Sequence, residues 1–279
     1  MRVFFTDRMV AESSSFSPSA HKPLAVVRSW QALGIPLDIV EPAAVTIDQF
    51  ALAHDRAFVE EVLSCERRNG FGNRSPAIAA SLPYTSGAML AAARSAIRDG
   101  GVAIAPCSGF HHAGRERAGG FCTFNGLMVA ACVLREEGLA RQVGILDFDQ
   151  HWGDGTEEIV TTLCASWVRH YSAGAIWHSS NQAERFLQTI PKIVETMSDC
   201  DVILYQAGAD PHIDDPYGGW LTTKQLAERD RKVFSAAKQF GIPIAWNLAG
   251  GYQEPLRKVL DIHDNTLLAC GQVYQGRRE

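Results

Sequence analysis

Short, almost uninterrupted apolar runs recur along this chain, each followed by a longer segment whose apolar residues return every three or four positions. Arg2–Phe5, Val102–Ala105, Val143–Leu146, Trp167–His170, Val202–Tyr205 and Ile244–Asn247 have the length and character of strands. Leu82–Arg98, Phe124–Glu137, Gln182–Met197, Thr222–Phe240 and Pro255–Cys270 carry the helical period. Thr222 with Gln225 predicts a capping box, and Pro255 suits the first turn of a helix. Strands without polar alternation have both faces covered, which points to a parallel sheet between helices. The expected fold is α/β: three layers, α/β/α, around a mostly parallel central sheet. The 279 residues contain no linker, repeat or charge block, so one domain over 1–279 is expected.

Composition removes several function classes. The chain is 46% hydrophobic and 20% charged, globular usage that excludes a disordered protein. No run approaches the roughly 20 apolar residues of a membrane span. A formal charge of -5 offers no basic field to a phosphate backbone, so no direct nucleic-acid partner is expected. The opening MRVFFTDRMVAE has no apolar stretch of signal-peptide type and reads as a strand near residue 1. Seven scattered cysteines with no C-x-x-C pair read as buried thiols, and a cytoplasmic location is expected.

The unusual polar residues fall in glycine-rich stretches, each just after an apolar run: PCSGFHHAGRERAGGFCTFN, DFDQHWGDGT, QAGADPHIDDPYGGW and LAGGYQ. In an open parallel sheet the carboxyl ends of the strands face one crevice, the usual place for a ligand. On an extended segment Asp147, Asp149 and His151 share a face, a plausible half of a metal site or simply a turn-rich loop. Asp210, at the end of the next apolar run, is the natural third ligand. Adjacent His111 and His112 suit a proton-transfer role near neutral pH, with Asp147 and Asp154 available to fix their tautomers; taken alone they also fit a surface pair. Gly250 and Gly251 allow a close backbone approach, and the Tyr252 hydroxyl can stabilise an oxyanion or merely pack.

Taken in order, GFHHAGRERAGGFCTFN, GILDFDQHWGDGT, QAGADPHIDDPYGGWLTT and AGGY resemble the zinc-dependent histone deacetylase superfamily, which includes acetylpolyamine amidohydrolases and acetoin-utilisation proteins. The resemblance is patchy before about residue 100 and strong from Pro106 to Tyr252. It implies that Asp149, His151 and Asp210 hold one Zn2+, that His112 is general base and acid oriented by Asp154, and that His111 is its partner backed by Asp147. It makes Tyr252 the group that polarises the substrate carbonyl, and Gly120 and Phe121 a border of the acyl-amine tunnel. It adds a structural K+ near Asp147, Asp149, His151 and Ser172. The implied reaction is hydrolysis of an acetyl or other acyl amide on a lysine, a polyamine or another small amine. A homo-oligomer is compatible with this pattern.

Several positions depart from it. Trp152 replaces the second histidine of Asp-x-His-His-Gly, Pro211 follows Asp210, and the common His-Pro-Glu signature is missing before HDRAFVEEVLS. Between residues 172 and 181 a short AGAIWHSS stands where relatives carry a longer loop, leaving Ile176 or Trp177 to rebuild the second tunnel wall. Arg115 and Arg117 read as solvated loop charges, Cys122 as packing and His178 as exposed filler, while Tyr217 and Trp220 fit either the rim or a cover for the sheet. Competing functions are an acyl-amine binding protein with little turnover and an arginase-like binuclear hydrolase; the latter needs a further carboxylate-rich motif such as Asp-x-Asp near residue 210, and Asp214 and Asp215 lie too far along to supply it.

Overall fold

A computed structural model describes residues 1–276. Its strands are β1 (Arg2–Phe4), β2 (Asp38–Val40), β3 (Val102–Ala105), β4 (Val143–Asp147), β5 (Val168–Ser172), β6 (Val202–Ala207) and β7 (Ile244–Leu248). They form one seven-stranded sheet in the order β2-β1-β3-β7-β6-β4-β5, with every neighbouring pair parallel. This is the expected α/β/α architecture.

The apolar runs are continuous because each central strand is packed on both faces. Along β6 and β7, Ile203, Tyr205, Ile244, Trp246 and Leu248 enter one core, while Val202, Leu204 and Ala245 enter the other. Helices α1 (Lys22–Ala32), α7 (Ala183–Glu195), α8 (Thr223–Gln239) and α9 (Arg257–Tyr274) cover the first face. The second is covered by α2 (Ile47–Ala51), α3 (Arg56–Leu63), α4 (Pro76–Asp99), α5 (Gly126–Glu136) and α6 (Asp154–Thr162).

Local signals account for many of the boundaries. The Thr222–Gln225 capping box opens α8 as expected. α4 starts earlier than its periodicity implies: Ser75 accepts from Ile78 N–H, Pro76 occupies the first turn, and the helix continues through Pro83 to a left-handed Gly100 (φ 61). Pro255 lies just outside α9, which begins at Arg257 and runs on to Tyr274. Cys107, Cys122, Cys132, Cys200 and Cys270 are buried, but Cys164 is exposed, against the expectation of buried thiols throughout. Among the described residues no helix is long and apolar enough to cross a membrane.

The sheet order decides where chemistry gathers. The four glycine-rich loops follow β3, β4, β6 and β7, which are consecutive neighbours in the sheet. Their carboxyl ends therefore lie side by side, as the crevice argument requires.

Candidate active site

β4 ends at Asp147, and the chain then leaves the strand geometry. Asp149 N–H donates to Asp147 Oδ1 at 3.1 Å, and His151 N–H donates to Asp149 Oδ1 at 2.9 Å. Two successive side-chain-to-backbone turns, rather than strand alternation, thus bring these residues to one side. Gln206 Nε2 also donates to Asp147 Oδ1 at 3.0 Å, fixing the buried carboxylate from β6.

Asp149, His151 and Asp210 converge. Their ligand atoms all lie within 4.8 Å of one another. His151 Nδ1 is 3.2 Å from Asp149 Oδ1 and 3.0 Å from Asp210 Oδ2. Bonds of about 2.0–2.2 Å arranged tetrahedrally would separate N and O ligands by about 3.3 Å, so this donor set fits zinc. Backbone groups aim both carboxylates: Gly250 N–H donates to Asp149 Oδ2 at 2.9 Å, and Gln150 N–H to Asp210 Oδ1 at 3.2 Å. Glycine is required at 250 because a Cβ there would lie 2.2 Å from Asp210 Cγ.

The electrostatics are those of crowded, buried acids. Burial, then the charge of Asp149, pushes the Asp210 carboxyl up to about 7. Hydrogen bonds to Asp149 and Asp210 raise the His151 imidazole to about 10. Burial alone would lower His111, but the fields of Asp147 and Asp149 outweigh it and raise that imidazole to about 9. In the metal-free protein the acids thus gather protons on their neighbours, a role a divalent ion can take over.

The two histidines stack with ring centroids 4.0 Å apart yet have separate partners. His111 Nδ1 donates to Asp147 Oδ2 at 2.8 Å, and His112 Nδ1 to Asp154 Oδ1 at 2.6 Å. Burial, then the charge on His111, lowers His112. Arg117 is not a free loop charge: its Nη2 donates to Asp154 Oδ2 at 3.0 Å and its Nη1 to the His112 carbonyl at 3.1 Å. The His112 ring rests on Gly120, where a Cβ would come within 2.6 Å of it and φ is +55.

Other supports carry no readable motif. His54, buried and held neutral by a burial-lowered pKa of about 4, donates from Nδ1 to Gly114 O and accepts from Asn125 N–H, both at 2.9 Å. It ties the middle of the histidine loop to its far end. Lys22 Nζ donates to Ala249 O at 2.5 Å and Gly250 O at 3.1 Å, fixing the loop before Tyr252. Asp215 is no metal ligand: it accepts from Tyr252 N–H at 2.8 Å and Tyr217 N–H at 3.1 Å. Among the described residues, Asp149, His151 and Asp210 form the one group of His, Cys, Asp or Glu side chains placed to share an ion. We expect Asp215→Ala to lower kcat at least about tenfold and stability by about 1–3 kcal/mol, by leaving those two N–H groups without an acceptor. Thermal melts and steady-state kinetics check both.

The mouth is aromatic. Phe121, left-handed at φ 61 and anchored by its N–H to Gly70 O, lies 5.8 Å from the Tyr252 ring. Tyr217 packs edge-on against Tyr252 at 4.9 Å, and Phe16 stacks on Tyr217 at 5.7 Å. Trp177 does not rebuild the wall. It is 8% exposed, donates Nε1–H to Tyr171 Oη at 2.8 Å and packs on Phe186. Ile176 is exposed but joins none of these ring contacts, and Trp220 packs on Phe186 as a cover for the sheet. Tyr217 and Phe16 are the exposed rings beside Tyr252 instead. His178 is exposed and Cys122 buried, as read. A small cavity of about 10 Å³ lies beneath, bounded by His111, Gly120, Asp149, Gly250 and Tyr252 among others.

Comparisons with known proteins agree with the fold and give the family. The chain is 25% identical over 290 residues to an uncharacterised protein of Picosynechococcus sp., covering 92% of this chain and 95% of that one. It is 28% identical over 183 residues to histone deacetylase 2 of Arabidopsis thaliana, covering 57% of this chain but only 46% of the relative. The chain thus spans about half the length of that named deacetylase. Among solved structures, the HDA15 HD domain superposes with a TM-score of 0.79 at 19% identity, over 97% of this chain and 90% of that one. An acetylpolyamine aminohydrolase from Burkholderia pseudomallei gives a TM-score of 0.73 at 18% identity, over 98% and 99%. The family model for the histone deacetylase domain matches residues 18–164 and 165–266, both histidines, the acidic cluster and Tyr252 included, and the chain belongs to that family.

Proposed function

We propose that this chain, acting as one catalytic domain in the cytoplasm, hydrolyses an acyl amide on a lysine, a polyamine or another small amine, with one zinc ion held by Asp149, His151 and Asp210. Family membership supports hydrolysis of acetylated amines in general. The observation that carries the finer reading is the cluster of two carboxylates around His151 Nδ1, at 3.2 and 3.0 Å, beside two histidines each backed by its own carboxylate. A structural K+ bordered by Asp147, Asp149, His151 and Ser172 belongs to the same proposal; Ser172 lies opposite Asp147 in the β4–β5 register.

Zinc in this site would supply Lewis acidity toward a carbonyl oxygen and toward water. The chain's own residues do the rest. Because Asp154 accepts from His112 Nδ1, the free lone pair of His112 is at Nε2. Its lowered pKa keeps it neutral near pH 7, so it can take a proton from an attacking water. Burial, then Asp210, raises the Tyr252 phenol, which therefore remains a donor toward the oxyanion that forms. The proton on His112 then passes to the departing amine, and the products are a carboxylic acid and a free amine.

A fluorogenic acetyl-lysine substrate tests the proposal, assayed before and after chelation and again after adding zinc. Turnover abolished by chelator and restored by zinc is expected. Tight binding of the acyl-amine without turnover by the zinc-loaded protein would instead favour the binding-protein alternative. The mouth predicts specificity: Phe16→Ala removes one ring of the Tyr217 stack and should raise KM for a slender acylated amine by about 5-fold, the value of an aromatic contact near 1 kcal/mol. Michaelis constants measured with kcat nearly unchanged would bear this out.

A further inference from the structure

Outside the groups assigned so far, α8 buries a complete ion pair. Arg229 and Asp230 are 0% exposed, and Arg229 Nε donates to Asp230 Oδ1 at 2.8 Å. The same guanidinium reaches forward. Nη1 donates to Phe148 O at 3.1 Å and to Gly208 O at 2.7 Å. Phe148 immediately precedes Asp149, and Gly208 lies two positions before Asp210.

This is where the ladder runs out. β4 and β6 pair as far as Asp147 with Gln206, and Phe148 N–H still donates to Gln206 O at 3.0 Å. Beyond that the two segments part to deliver their carboxylates, and one guanidinium nitrogen accepts the task of tying their carbonyls together. The segments touch closely: a Cβ on Gly208 would lie 2.6 Å from Asp149 Cα. Asp230 holds the guanidinium in orientation and is itself held by Tyr205 Oη at 2.5 Å and Thr266 Oγ1 at 2.6 Å. Asp230 balances the positive charge at its nearest neighbour, while the hydrogen bonds to the two carbonyls fix geometry.

We infer that Arg229 is a positioning residue that sets the spacing of Asp149 and Asp210, and thereby the affinity of the site for its metal. The inference rests on the reading of Asp149, His151 and Asp210 as a zinc site. A lysine keeps the charge but lacks the planar fork that spans a carboxylate and two carbonyls. Arg229→Lys should therefore bind zinc at least about tenfold more weakly, as measured by competition with a chromogenic chelator, with its far-UV circular dichroism unchanged. Val129→Ala, a cavity in α5 across the sheet, is the control. It should lower the melting temperature and leave zinc affinity within about twofold of the unaltered protein.

A folded Arg229→Lys protein whose zinc affinity stays within about twofold overturns the inference and leaves the metal reading intact. If that variant does not fold, Arg229→Gln combined with Asp230→Asn cancels both buried charges and is held to the same criterion. Unaltered protein that binds no zinc overturns the metal reading itself, and the role of Arg229 with it.

Discussion

Asp210→Ala should abolish zinc binding and turnover while making the metal-free protein more stable. The carboxyl is 0% exposed, faces Asp149 across His151, and is pushed up to about 7 by burial and by that neighbouring charge. Metal-free, the protonated His151 is shared between two carboxylates and answers only one of them, so a second buried acid so placed still opposes folding. Removing one of three protein ligands should weaken zinc by more than the roughly 10–100-fold seen when outer partners are lost. The sign of the pH effect follows. Unfolded, this carboxyl titrates near about 4, so between about pH 4 and 7 the folded state holds the extra proton, and metal-free stability falls as pH rises through that window. His151, raised to about 10, continues the same downward slope from its unfolded value near about 6.5. Melting chelator-stripped protein at pH 5 and pH 7.5 should show a higher Tm at the lower pH, and a smaller difference for Asp210→Ala. A variant that kept zinc, or lost stability at pH 7.5, would contradict this account.

Tyr252→Phe should leave zinc in place and remove most of the turnover. Asp149, His151 and Asp210 form the ion-sharing group without Tyr252. The ring is independently placed: its backbone is held by Asp215, and Phe121 and Tyr217 pack against its faces and edge. Deleting one oxygen therefore changes little but the donor. One donor to a developing oxyanion contributes roughly 3 kcal/mol, so kcat should fall by about a hundredfold or more, with KM little altered. Zinc content by elemental analysis and steady-state kinetics on the same preparation separate the two effects. Full turnover with zinc bound would remove Tyr252 from the chemistry.

The sequence was legible wherever its signal was local. The five central and inner strands announce themselves because burial on both faces leaves runs such as Val202–Tyr205 with no polar interruption. The edge strand Asp38–Val40 escaped notice for the opposite reason: it is half-exposed and lies just after Pro36. α6 was hidden because its first residues, Asp154-Gly155-Thr156, belong to a motif read for chemistry. The histidines, their carboxylates and the acidic cluster could be named because each sits in a distinctive loop. Their supports could not. Lys22, His54, Asp215 and Arg229 all act on backbone groups far away in sequence, and a backbone carbonyl or N–H carries no side-chain identity to search for. Residue type does not decide between Trp177 and Tyr217 at the mouth; loop packing does, burying Trp177 against Phe186 and leaving Tyr217 exposed beside Tyr252.

The adjacent imidazoles sit in unequal surroundings. The Asp147 carboxylate behind His111 is sealed from solvent, whereas Asp154 behind His112 is about a third exposed and shared with a half-exposed Arg117. Substitutions at residue 117, or at Glu158, which Arg117 also grips, can therefore retune the His112 imidazole from the protein's surface. The inner one is insulated from such changes, so drift in the surrounding loop can adjust His112 without disturbing His111.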